Sequence, residues 1–132
     1  MKMSKYKIVL ICAFALLNAC IPVKFTETPR IYGRVIDSES KNPISGANIY
    51  FKKHPEKKML SDLQGKFVFE PIMEWIWIPL GPFDLKPPRG DLLIEMTGYE
   101  KLEKMLYGPP DVVGDFELTK KMMSNMPLES IR

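Results

Sequence analysis

His54 is the one histidine in the 132 residues, so any catalysis needing a neutral base near pH 7 has to pass through it. It stands beside Pro55, in a stretch rich in lysine (Lys52, Lys53, Lys57, Lys58). A nucleophilic relay needs a Ser or Cys oriented by such a base, and neither a G-x-S-x-G elbow nor a phosphate-loop spacing occurs. A catalytic zinc site needs three convergent N, O or S ligands, and one histidine among scattered acids does not announce them. Asp62, Asp91, Asp111, Asp115, Glu70 and Glu74 read as solvated turns and strand ends. Asp37 and Asp62 have the types for a calcium corner, but their turn-rich surroundings favour capping of backbone amides. The four lysines read as a solvated basic edge, suited to lipid headgroups or an acidic partner. The expectation is a protein with no catalytic residues, no cofactor and no metal site.

The cysteines carry a different chemistry. Lys2, Lys5 and Lys7 open the chain, and an apolar run of ten residues follows from Ile8 to Leu17. That run is too short to span a bilayer as a helix, which takes about twenty residues. It ends in Leu17-Asn18-Ala19-Cys20, which resembles the lipobox of bacterial lipoproteins. The resemblance implies removal of residues 1–19 as a signal peptide and acylation of Cys20 on sulfur and on the new amino terminus. Several acyl chains anchor stably where one binds only weakly and reversibly. Asn18 is an unusual but tolerated residue in that motif. Ile21, where enteric bacteria place Asp to retain a lipoprotein at the inner membrane, implies the outer membrane, facing the periplasm. Cys12 would leave with the leader and Cys20 would be blocked, so no disulfide is expected. Without the three leader lysines the chain has 16 basic and 16 acidic residues. That balance gives no reason to expect nucleic acid as a partner.

The elements that must carry any surface lie between Arg30 and Phe69. Residues 30–37 alternate with period two, with Ile31, Gly33 and Val35 on one face and Tyr32, Arg34 and Ile36 on the other. Gly33 within that strand suggests a bulge or the close approach of another backbone. Pro43 and Gly46 bound a turn before a second strand over 46–52, residues 54–58 read as a solvated loop, and Ser61 to Gly65 form a turn leading to a strand over 66–69. Three pieces, I-x-G-x-V-x-D (Ile31, Gly33, Val35, Asp37), P-I-x-G-A-x-I (Pro43, Ile44, Gly46, Ala47, Ile49) and S-D-x-x-G-x-F-x-F (Ser61, Asp62, Gly65, Phe67, Phe69), resemble the carboxypeptidase regulatory-like domain, with Gly98-Tyr99 matching its later Gly-Tyr. The resemblance covers about residues 30–119. It implies an all-β, transthyretin-like (prealbumin-like) Greek-key β-sandwich of about seven strands, without catalysis. Residues 20–29 are then a lipidated tether, and 120–132 a C-terminal tail.

Residues 71–83 depart from that family. Alternation puts Trp75 and Trp77 on one face and Ile76 and Ile78 on the other, so both faces are apolar. Three readings fit: a central strand buried on both sides, an exposed aromatic surface formed by Trp75, Trp77 and Phe83, or contact with the nearby bilayer. Strands are expected over 91–97, after Gly98 over 99–106, and over 112–119 with Val112, Phe116 and Leu118 inward. The functional expectation is a non-catalytic, lipid-anchored periplasmic module that recognises an envelope protein. Its specific form would be an immunity-type protein against an effector that attacks the envelope. The alternatives are carbohydrate or peptidoglycan binding through Trp75 and Trp77, and a structural accessory of an envelope complex.

Overall fold

The computed structural model describes residues 5–17, 20–79, 81–82, 84, 86–108 and 111–122. Among these residues a helix, α1 (Lys5–Leu17), is followed by nine strands. They are β1 (Cys20–Thr26), β2 (Arg30–Asp37), β3 (Asn48–Phe51), β4 (His54–Leu60), β5 (Lys66–Phe69), β6 (Met73–Pro79), β7 (Arg89–Glu95), β8 (Leu102–Tyr107) and β9 (Asp111–Leu118). Among the described residues, no helix is long and apolar enough to cross a membrane.

Seven of the strands make the all-β sandwich. One sheet has the order β5-β2-β9 and the other β4-β3-β7-β8. The connections β2 to β3, β4 to β5 and β8 to β9 each pass from one sheet to the other. Alternation explains why the sheets stack. On β2, Ile31 and Val35 are buried while Tyr32 and Arg34 face water. These two join Phe67 and Phe69 of β5 and Phe116 and Leu118 of β9 in one cluster with Ile49, Phe51, Leu92, Ile94 and Leu106 from the other sheet. Phe51 and Phe69 meet edge to face across the interior, with ring centroids 4.9 Å apart. Cys12 and Cys20 are both exposed and unpaired, so packing and hydrogen bonds hold the sandwich.

The three motif pieces fold onto one another. The Ser61 hydroxyl is buried; it donates to the Ile44 carbonyl (2.7 Å) and accepts from the Ala47 amide (3.0 Å). Asp62 accepts from the amides of Gln64 (2.9 Å) and Lys66 (2.8 Å), which is the capping role expected of it. The Gly65 carbonyl accepts from Val35, whose own carbonyl accepts from Ile44. Gly65 has φ +72°, and a Cβ there would lie 2.4 Å from the Val35 oxygen. Asp37 is also a cap: its buried carboxylate accepts from the Glu39 and Ser40 amides and the Tyr99 hydroxyl, with Lys120 Nζ 3.5 Å away. The Ser40 amide above all, with Tyr99 and Glu39, outweighs burial and holds its pKa well below the usual carboxylate range.

Four sequence expectations change. Residues 20–26 form a strand where a tether was expected, because Ile21, Val23 and Phe25 match the alternation of Ile76 and Ile78 opposite them. Residues 54–60 are the edge strand β4 and not a loop. An edge tolerates Pro55, which lacks a donor, and Lys57 and Lys58 keep that edge in water. Gly33 has no bulge; it pairs in register with Phe67 on one side and Gly114 on the other. Its close neighbours are the Phe67 and Phe116 rings, 2.3 and 2.8 Å from where a Cβ would sit. The tryptophan strand β6 lies in neither sheet of the sandwich.

Two outcomes follow for stability. Gly33→Ala should overpack the Phe67 and Phe116 rings and cost about 1–3 kcal/mol in urea unfolding. Asp37→Asn should lower stability at neutral pH. Because the folded carboxyl has the lower pKa, its contribution is present above its ordinary value of about 4 and is lost as pH falls through the folded value. The stability gap between wild type and variant should therefore close on acidification, as read by denaturant melts at stepped pH.

Candidate functional site

Among the described residues, strands β1 and β6 pair only with each other, as an antiparallel ribbon. The register sets Cys20 opposite Pro79, Pro22 opposite Trp77, Lys24 opposite Trp75 and Thr26 opposite Met73. Paired residues share a face, so Trp75, Trp77 and Met73 stand together with Pro22 and Lys24. Their exposures are 68%, 69% and 48%. The opposite face carries Val23, Phe25, Ile76 and Ile78, half-buried, and Ile21, exposed. The exposure of Trp75 and Trp77 excludes the central strand buried on both sides and is compatible with either an aromatic binding surface or contact with a bilayer. Two residues along a strand, the tryptophan Cα atoms lie about 7 Å apart. Phe83, the third residue of the expected surface, lies outside the described residues. Cys20 is exposed at the end of the ribbon farthest from the sandwich.

The ribbon meets the sandwich at a clasp. The Glu27 amide donates to the Ile72 carbonyl (2.8 Å), and the Ile72 amide donates to the buried Thr28 hydroxyl (2.9 Å). The Glu27 carbonyl accepts from the Arg89 amide at the start of β7 (3.0 Å). This directs the Glu27 side chain toward His54, the first residue of β4. Their Oε2 and Nε2 atoms lie 2.7 Å apart, and both side chains are about six-sevenths buried (15% and 14% exposed). Glu74 of the ribbon reaches the same Nε2 at 3.8 Å and is 52% exposed. Glu56 Oε1 lies 3.3 Å from Nδ1, and Lys53 Nζ donates to Glu27 Oε1 at 2.8 Å.

Electrostatics follow from these distances. The hydrogen bond to Glu27 raises the pKa of His54 against the opposing effect of burial. Burial also raises that of Glu27, but the hydrogen bonds from Lys53 and His54 outweigh it and leave the pKa lowered. Glu27, His54 and Glu74 are the one group of three metal-donor side chains within reach of one another among the described residues. They come from positions 27, 54 and 74, and nothing in their spacing along the chain announces that they meet. A signal was there in hindsight: a lone histidine at an edge-strand end with a carboxylate two residues on.

The other expected residues are scattered. Lys52 pairs with Glu103, Glu70 with Arg30 and Asp115 with Arg34, all on exposed surfaces. Pairs so exposed are screened by water and add little to stability. Lys58 lies over the Tyr50 ring, 5.0 Å from its centroid. Beside the clasp a cleft of about 310 Å³ opens between Thr28, Phe51, Lys53, Arg89, Met105 and Tyr107.

No family model and no curated protein matches the chain. Among solved structures it is similar to the crystal structure of 3-chlorocatechol 1,2-dioxygenase from Rhodococcus opacus 1CP, with 16% identity and a TM-score of 0.47. The match covers 74% of this chain and 61% of that one.

The exposure of the ribbon sets a clear expectation. Trp75→Ala and Trp77→Ala should each leave unfolding free energy within about 0.5 kcal/mol of wild type, where burial would make each cost about 3–5 kcal/mol. Acrylamide should quench the fluorescence of both.

Proposed function

We propose that this chain is a non-catalytic, lipid-anchored envelope protein that binds a protein partner through the tryptophan face of the β1–β6 ribbon. The observation that carries the reading is the side-by-side exposure of Trp75 and Trp77, with Met73, on a ribbon outside both sheets of the sandwich. Large apolar side chains clustered in water are uncommon without a purpose. Trp and Met are enriched in interface cores, and buried Trp anchors contribute much of the binding energy at hot spots. Supporting the anchor are the lipobox-like Leu17-Asn18-Ala19-Cys20 and the place of Cys20 at the ribbon's free end. The sandwich is then a rigid body that holds out the ribbon from the outer membrane into the periplasm. An immunity-type role, in which the partner is an effector that attacks the envelope, is the specific form of this proposal. The same two indoles form a platform on which sugar rings can stack, so carbohydrate or peptidoglycan is the competing ligand class.

Chemical crosslinking in detergent-solubilised envelopes, followed by purification, separates the two. A stoichiometric protein partner that is lost with Trp77→Ala supports the proposal. A glycan-array signal that requires Trp75, with no protein partner, would replace it. The anchor has its own test: fatty-acid labelling of the protein should disappear with Cys20→Ser.

A further inference from the structure

Glu27, His54 and Glu74 belong to three parts of the molecule: the clasp, the sandwich edge and the ribbon. We propose that they bind one divalent transition-metal ion of the zinc class, which clamps the base of the ribbon to the edge of the sandwich. One imidazole nitrogen and two carboxylate oxygens lie within 4.8 Å of one another. A tetrahedral ion with bonds of about 2.0–2.2 Å holds its donors roughly 3.3–3.6 Å apart. The separations from His54 Nε2, 2.7 Å to Glu27 and 3.8 Å to Glu74, bracket that spacing. Small side-chain rotations therefore suffice, and the sheets need not move.

The surroundings fit the same ion. When Nε2 binds metal, Nδ1 carries the proton and donates it to Glu56, which fixes ring and tautomer as an outer-shell carboxylate does. Lys53 occupies Oε1 of Glu27 and leaves Oε2 for the ion. With a neutral imidazole, the carboxylates of Glu27, Glu56 and Glu74 exceed Lys53 by two charges, which a divalent ion balances. A nitrogen donor with two carboxylates suits Zn²⁺ or Co²⁺ better than Mg²⁺ or Ca²⁺, which prefer all-oxygen shells. On binding, a proton held at Nε2 passes to solvent. Three protein donors leave a fourth position for water. This inference does not depend on the partner or the anchor proposed above.

The test uses the full chain without an affinity tag, purified in detergent and stripped with EDTA. Since His54 is its one histidine, no other imidazole competes. Co²⁺ is titrated and followed by visible absorption, and Zn²⁺ by calorimetry. The expected result is one equivalent bound, with cobalt bands displaced by Zn²⁺ and not by Mg²⁺. His54→Ala should abolish those bands. Glu74→Gln, at an exposed position, should leave the fold intact and weaken binding at least tenfold. Glu56→Gln should weaken it about tenfold while stoichiometry stays at one. Absence of saturable one-to-one binding, or equal affinity in wild type and Glu74→Gln, would overturn the proposal and leave the cluster as an ion-pair network held by protons.

Discussion

The hydrogen bonds between Glu27, Thr28 and Ile72 are the constraint on which the rest of the molecule depends. They lie where two strands leave the sandwich together, and they fix the register in which β1 and β6 pair. A buried hydroxyl at Thr28 satisfies the Ile72 amide, and the neighbouring amide of Glu27 satisfies the Ile72 carbonyl. An unsatisfied polar group at this depth would cost about 1–3 kcal/mol. The same few bonds determine which ribbon face takes the tryptophans, because a slip of one residue would exchange the two faces. They also aim the Glu27 carboxylate at His54, which brings one end of the ribbon and the sandwich edge into electrostatic contact.

The sandwich is stiff enough to serve as the base for this. Two sheets share one interior lined by Phe51, Phe67, Phe69 and Phe116, with aliphatic residues between them. At one end the Ser61 hydroxyl, Asp62 and Gly65 stitch the turn before β3 and the turn before β5 to β2. No buried side-chain polar atom among the described residues lacks a partner. That matters in a chain whose cysteines are unpaired, since an unmet donor would have no crosslink to offset it.

Much of this was legible in the sequence, and the reasons differ from place to place. Alternation in residues 30–35 and 66–69 revealed β2 and β5, because one face is buried and the other wet; it ends at Ile36, expected outward with Tyr32 and Arg34 but buried beside Val35. Turn chemistry revealed the roles of Asp62 and Gly65. β4 was missed because its outward residues are Pro, Glu and Lys, which mark a protected edge as readily as a loop. β1 was missed because its partner is another short apolar strand 47 or more residues away, a pairing that no local pattern encodes. The tryptophans were ambiguous for the same reason. A segment apolar on both faces suits either a buried strand or a free ribbon, and only the sheet order decides between them. The meeting of positions 27, 54 and 74 is wholly tertiary. Sequence gave one histidine and many acids, and folding selected which of them face one another.

Sheet order, exposure and charge combine into one picture, in which a packed β body presents an aromatic ribbon whose free end carries Cys20. In the proposed reading, an anchor at Cys20 restricts the search to two dimensions and the ribbon supplies the contact. Site-specific photocrosslinking in the native envelope tests this most directly, with the photoreactive residue placed at position 75 and, as a control, at exposed Val113 of β9. The account predicts a discrete protein adduct from position 75 and none from position 113. Adducts from position 113 with none from position 75 would contradict it.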